Sequence, residues 1–193
     1  MFTQIAAKKT VDWLMQGGQV VDDDRRVYEF GLDKLFSSLV NFFFAVILGL
    51  VFGVFWQTVM FYIVYIMLRV YAGGYHAKKP LVCFFASIGI LFPCVVAIRF
   101  YQIWRTPLVF WSLLLVSVVA LAIVAPVEHK NKRLDVLEKT IYRRRLLRNL
   151  AIVTIGAITL AAFSQVDYAM AMLCGIMLSA SVAIVGKMRS AIG

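Results

Sequence analysis

Charge is scarce in this chain. Only 16% of its 193 residues are Asp, Glu, Lys or Arg, against ~25% in an ordinary soluble domain, while 62% are hydrophobic. That balance excludes a water-soluble fold, because too little polar surface exists to cover the apolar residues. Acidic residues are scarcer still: 10, against 20 Lys and Arg, for a formal net charge of +10. In a soluble domain such an excess points to nucleic acid. In a membrane protein it is the ordinary signature of basic cytoplasmic loops beside anionic headgroups, so nucleic acid is not expected as a partner and the lipid bilayer is. Cysteine is thin as well. Cys83, Cys94 and Cys174 are odd in number, widely spaced and all within apolar blocks. This excludes a disulfide framework and any zinc or Cys-x-x-Cys spacing, so no metal is expected. No nucleotide motif is present, and no cofactor is expected. Residues 1–34 mix charges throughout and lack the apolar core of a cleavable signal peptide.

What is abundant is the long uncharged run, and the fold class that follows is an all-α polytopic integral membrane protein. Residues 2–16 read as an amphipathic helix, with Phe2, Ala6, Ala7, Val11, Trp13 and Leu14 on one arc and Gln4, Lys8, Lys9, Asp12 and Gln16 on the other. Such a helix can lie in the membrane interface or on the protein itself. Gly17-Gly18 ends it, and Asp22-Asp23-Asp24 offers an N-cap and a negative first turn for a second short helix. Residues 1–34 are therefore expected as cytoplasmic or interfacial helices, and residues 35–193 as one transmembrane domain. Its expected spans are Leu35–Trp56, Thr58–Ala72, Leu81–Ile98, Pro107–Val127 and two within Leu150–Gly186, separated by Ser164-Gln165-Val166-Asp167. Leu150–Phe163 is short for a span, so a re-entrant hairpin is the alternative for that last block. The Gly49/Gly53 pair and the series Ala171, Gly175, Ser179, Ala183 form small-residue faces. They serve packing within one subunit or a homodimer equally well.

Loop charges give the orientation. Residues 1–34 carry five Lys or Arg, the break at His76 carries Lys78 and Lys79, and the stretch 128–149, read as a basic loop, carries eight. The alternate connections are poor in charge. Both termini, the His76 segment and the basic stretch are thus expected in the cytoplasm, with the protein in the plasma membrane.

One stretch carries chemistry. His76 and Cys83 stand seven residues apart with Pro80 between them. Pro80 suits the first position of a helix, which puts Cys83 within about one turn of the helix N-terminus. The positive end of the helix dipole, Lys78 and Lys79 all favour the thiolate. A nearby His can raise the thiolate fraction and later protonate a leaving amine. Gly73-Gly74 lets the chain fold back and lets a substrate backbone approach. The N–H groups of the first turn are candidate oxyanion donors. The plainer reading of each residue is inert packing for the Cys and an interfacial polar group for the His. Cys94 and Cys174, deep in apolar segments, are read as structural, and His129 as solvated.

The run Arg69…Gly73-Gly74-Tyr75-His76-Ala77…Cys83 resembles the signature of the accessory gene regulator B (AgrB) family of Gram-positive quorum-sensing systems. That signature is an Arg, a Gly-Gly-x-His-Ala core and a Cys seven residues after the His. Tyr28 to Leu35 looks like the family's tyrosine/glycine-leucine motif, although Tyr28 lies three residues before Gly31 where members often have Tyr directly before Gly. Ala125-Pro126-Val127-Glu128-His129-Lys130 looks like its Pro-containing approach to the basic stretch. The resemblance implies a membrane cysteine endopeptidase with Cys83 as nucleophile and His76 as general base, and with Arg69 and Gly74 at positions needed for activity. It also implies an AgrD-type propeptide as partner, cut through an acyl-enzyme thioester and cyclised to a thiolactone or lactone autoinducing peptide. Lys78 and Lys79 are candidate contacts for an acidic propeptide tail. The rival expectation is a non-enzymatic peptide transporter or export helper, for which Asn41, Arg69 and Arg99 are the polar material.

Overall fold

The computed structural model describes residues 2–73, 80–100, 106–127 and 135–192, with backbone alone at 2, 34, 80–87, 136 and 189–192. Among these, seven α-helices and no strand occur: α1 (Phe2–Gln16), α2 (Arg25–Val51), α3 (Phe55–Ala72), α4 (Pro80–Arg99), α5 (Pro107–Val124), α6 (Val136–Ala162) and α7 (Val166–Ile192). Five are long and apolar enough to cross a membrane: α2, α3, α5, α6 and α7. The third expected span, Leu81–Ile98, falls within α4, 20 residues of helix. The chain divides into two compact units, Met1–Phe44 with Ala77–Gly89, and Ala45–His76 with Ile90–Gly193.

In the first unit α1 runs antiparallel to the opening turns of α2. Thr3 meets Ser37, whose Oγ donates at 3.4 Å, and Asp12 meets Arg25 at 2.6 Å. Arg25 also donates through Nε to Glu29 at 3.0 Å. The expected apolar arc of α1 is split: Ala7 and Val11 are buried, whereas Trp13 is 68% exposed. No second short helix follows. A 3-10 turn at Asp22–Asp24 runs straight into α2, its N-cap residue is Val21, and no side chain caps it. Position 34, where the charges thin out, therefore lies inside one continuous 27-residue helix. The hydrogen-bond ladder does not register the change from polar to apolar side chains.

The second unit is built around α7, which packs on α3, α5 and α6. Its small-residue face makes this possible. A Cβ added at Gly175 would lie 2.7 Å from Val64 Cγ1 and 3.0 Å from the Phe61 carbonyl, so the α7 and α3 backbones touch there. Ala171, Ser179 and Ala183 on the same face are also fully buried. This face is filled within the subunit. The Gly49/Gly53 pair divides its labour: Gly49 sits against Thr58 of α3, while Gly53 has φ +68° and ends α2. Val54 N–H donates to Gly49 O at 2.8 Å and Gly53 N–H to Leu50 O at 3.1 Å, the paired bonds of a Schellman cap.

The same cap closes α6. Gln165 N–H reaches Leu160 O at 2.8 Å and Ser164 N–H reaches Ala161 O at 3.2 Å, with Ser164 itself at φ 62°. Only three residues separate α6 from α7. The block 150–163 is not a short helix, because α6 starts back at Val136 and takes in most of the basic stretch. Residues 136–149, expected as loop, are helical because Tyr142, Leu146, Asn149 and Leu150 recur on one face and meet the unit's interior.

Two measurements test this packing. Gly175→Leu forces α7 off α3 and lowers stability by about 1–3 kcal/mol, read as a fall in thermal midpoint in detergent. Ser164→Gly relieves a left-handed non-glycine residue and raises stability by about 1 kcal/mol.

Candidate functional site

The last turn of α3 carries the first expected site residue. Leu68 and Ala72 are buried, and Arg69 between them is half-buried. A cation there complements the negative end of the helix dipole. Gly73 follows with φ 68° and ψ −151°, a backbone region open essentially to glycine alone. The chain needs that geometry because Gly73 pairs in parallel with Val127, and Val127 N–H donates to Ala72 O at 2.9 Å. A Cβ at Gly73 would run into the Val127 carbonyl oxygen. Ala72, Ala125 and Val127 all belong to the buried core of this unit. The exits of α3 and α5 are thus stitched side by side.

Helix α6 braces the stitched end. Asn149, 8% exposed, donates through Nδ2 to the Met67 carbonyl at 3.4 Å. Tyr71 and Tyr142 meet edge to face with centroids 5.8 Å apart. These contacts were not expected from the sequence. Val127 gives no signal, since it acts through its backbone. Asn149 does give one, as an amide in helical spacing with Leu146, Leu150 and Val153.

In the other unit α4 begins at Pro80, and Cys83 is its fourth residue. The expected helix start is therefore present, and the backbone of Cys83 lies in the first turn. N–H groups of a first turn have no partner within their own helix. Gly74, His76, Lys78 and Lys79 lie outside the described residues, as do Glu128 and His129. Cys94 is half-buried in α4 and Cys174 is buried in α7. Among the described residues no group of His, Cys, Asp and Glu could hold a metal ion.

Comparison with known proteins completes the picture. The family model described as Accessory gene regulator B matches residues 7–184, nearly the whole chain. Protein FsrB of Enterococcus faecalis is 34% identical over 85 residues, a match covering 42% of this chain and 35% of FsrB. The matched stretch thus spans about a third of that relative's length. No solved structure matches.

The stitch is testable by stability alone. Gly73→Ala sets φ strain and a backbone clash against the pairing, and lowers stability by about 1–3 kcal/mol. Gly31→Ala, in a helix with open space around it, is the comparator and is neutral or stabilising by about 1 kcal/mol. Equal thermal midpoints for the two variants would mean the pairing contributes nothing.

Proposed function

The chain belongs to the accessory gene regulator B family, and on that footing we propose that it is a membrane cysteine endopeptidase that cuts and cyclises its propeptide. Family membership ties it to the accessory gene regulator quorum-sensing system and implies an AgrD-type propeptide as partner. The finer reading rests on Cys83, His76 and the helix that starts between them. The observation that carries it is the start of α4 at Pro80, with Cys83 in the first turn. A helix N-terminus stabilises an anion, so a thiol in this turn is favoured as thiolate.

The chemistry then runs in two acyl transfers. The Cys83 thiolate attacks the carbonyl at the boundary between the signal segment and the C-terminal tail. First-turn N–H groups receive the developing oxyanion. His76 passes a proton to the departing amine, and the tail leaves with a free N-terminus. The signal segment is held as a thioester on Cys83. A Cys or Ser side chain of the same segment loses its proton to His76 and attacks that thioester. The ring closes as a thiolactone or lactone, and Cys83 is released. Exchange of one thioester for another is nearly neutral, whereas making one from an amide is uphill in water. A water-poor site and removal of the tail therefore drive the sequence forward.

Arg69, Gly73 and Gly74 support the site, Gly73 through its pairing with Val127. Lys78 and Lys79 steer an acidic tail. Orientation follows from the positive-inside rule, with both termini and the His76 segment in the cytoplasm, where the propeptide is made.

The test is mass spectrometry of the cognate propeptide incubated with membranes carrying each variant. Wild type, Cys94→Ala and Cys174→Ala release the tail. Cys83→Ala and His76→Ala lower the rate by at least about 100-fold, and neither yields the peptide adduct on residue 83 that wild type gives. Equal processing by Cys83→Ala would remove the thiol from the chemistry and leave an export helper. A largely linear, hydrolysed product from wild type would mean that the site admits water.

A further inference from the structure

Helices α6 and α7 form a tight antiparallel hairpin about Ser164. Gly156 and Met172, each eight residues from that turn, face one another: a Cβ at Gly156 would lie 3.0 Å from Met172 Cε. Residues equally distant from Ser164 therefore stand level. By this register Arg143, Arg144, Arg145 and Arg148 are level with Val185, Ile184, Ala183 and Ala180. Ala180 and Ala183 belong to the buried apolar core. Lys187, where α7 turns polar, is level with Ile141. The four arginines thus enter the helix about 3–10 Å deeper than the point at which α7 leaves its apolar region. Membrane thickness gives the same answer. A hydrocarbon layer of ~30 Å takes about 20 helical residues, which, counted from Phe163, carries α6 to about Arg144.

Arginine at this depth needs both a way out and a partner. Side chains on a helix lean toward its N-terminus. The N-terminal end of α6 is the end nearer the surface, so these side chains lean back toward the headgroups while their stems stay in the apolar layer. All four arginines are exposed, and among the described residues none has an ion-pair or hydrogen-bond partner. Arg144 and Arg148 continue a helical stripe with Ile141, Ile152 and Ile155, which are 48%, 56% and 63% exposed. The opposite face, Leu146, Asn149 and Leu150, is buried. The arginines therefore lie on an outward, apolar face at headgroup depth.

We propose that Arg144 and Arg148, flanked by Arg143 and Arg145, bind the phosphates of anionic phospholipids and so hold α6 at a set depth. The guanidinium fork matches phosphate oxygens two at a time. Ile152 and Ile155 of the same stripe, deeper in the layer, meet the acyl chains. A water-borne acidic peptide satisfies the charge but not this apolar surround.

The full-length protein is placed in phosphatidylcholine nanodiscs, with or without phosphatidylglycerol, and its thermal midpoint and retained lipid are measured. Phosphatidylglycerol raises the wild-type midpoint and stays bound. Inorganic phosphate, or a soluble acidic peptide, added to pure phosphatidylcholine discs does neither. Arg144→Gln and Arg148→Gln each weaken the phosphatidylglycerol effect by about fivefold, and Lys at the same positions restores part of it. Lys8→Gln with Lys9→Gln, on α1, leaves it unchanged. An unresponsive wild type would overturn the proposal without any variant. So would unaltered lipid retention by the Arg144→Gln, Arg148→Gln double variant. An equal response to inorganic phosphate would make the site one for a free anion, and an equal response to the acidic peptide would make it a peptide site.

Discussion

Backbone contact between α7 and α3 at Gly175 is the constraint from which the second unit follows. In a membrane, lipid chains solvate apolar side chains as well as protein does, so burial alone does not hold helices together. Close approach does, because it maximises dispersion contacts across a long seam. Gly175 allows that approach, and Ala171, Ser179 and Ala183 extend it along the helix. With α7 seated on α3, its remaining faces are free for α5 and α6, and the buried core from Leu68 to Ile176 closes around it.

The seam has a consequence at its polar end. Once α3 and α5 are held through α7, their exits are near enough for Gly73 and Val127 to pair, and α6 completes the support through Asn149 and Tyr142. A backbone pairing of this kind leaves little freedom where the chain departs from α3. Gly73 is the first residue of the run that leads to His76.

The same packing sets the depth of α6. Only a three-residue turn joins it to α7, so the two helices share one register, and the apolar length of α7 carries α6 into the membrane beyond its own apolar part. Four arginines are drawn to headgroup level as a result. In the sequence they read as loop charges. On the hairpin they become side chains with a defined depth and direction.

Membrane character, most of the helices and the family signature were legible in the residues themselves, because each depends on local order. Long uncharged runs must be helical where no water can satisfy the backbone. Pro80 stands first in a helix, as its fixed φ allows, and Gly17-Gly18 ends one. The Gly-Gly-x-His-Ala and Cys83 spacing carries the family signature. What the residues did not reveal were relations between distant segments. The pairing of Gly73 with Val127 involves only main-chain atoms, and no side-chain pattern encodes it. The start of α6 at Val136 was hidden by its charges, since hydropathy reports solvent preference and not the hydrogen-bond ladder that continues through them. Gly49 and Gly53 look alike in the sequence, yet one is a contact and the other a turn, a difference made by where α3 folds back. Solvent class and family were thus determined by the sequence alone. Which backbone meets which, and how deep each charge sits, was decided by the packing of α7, because that packing couples residues the chain holds far apart.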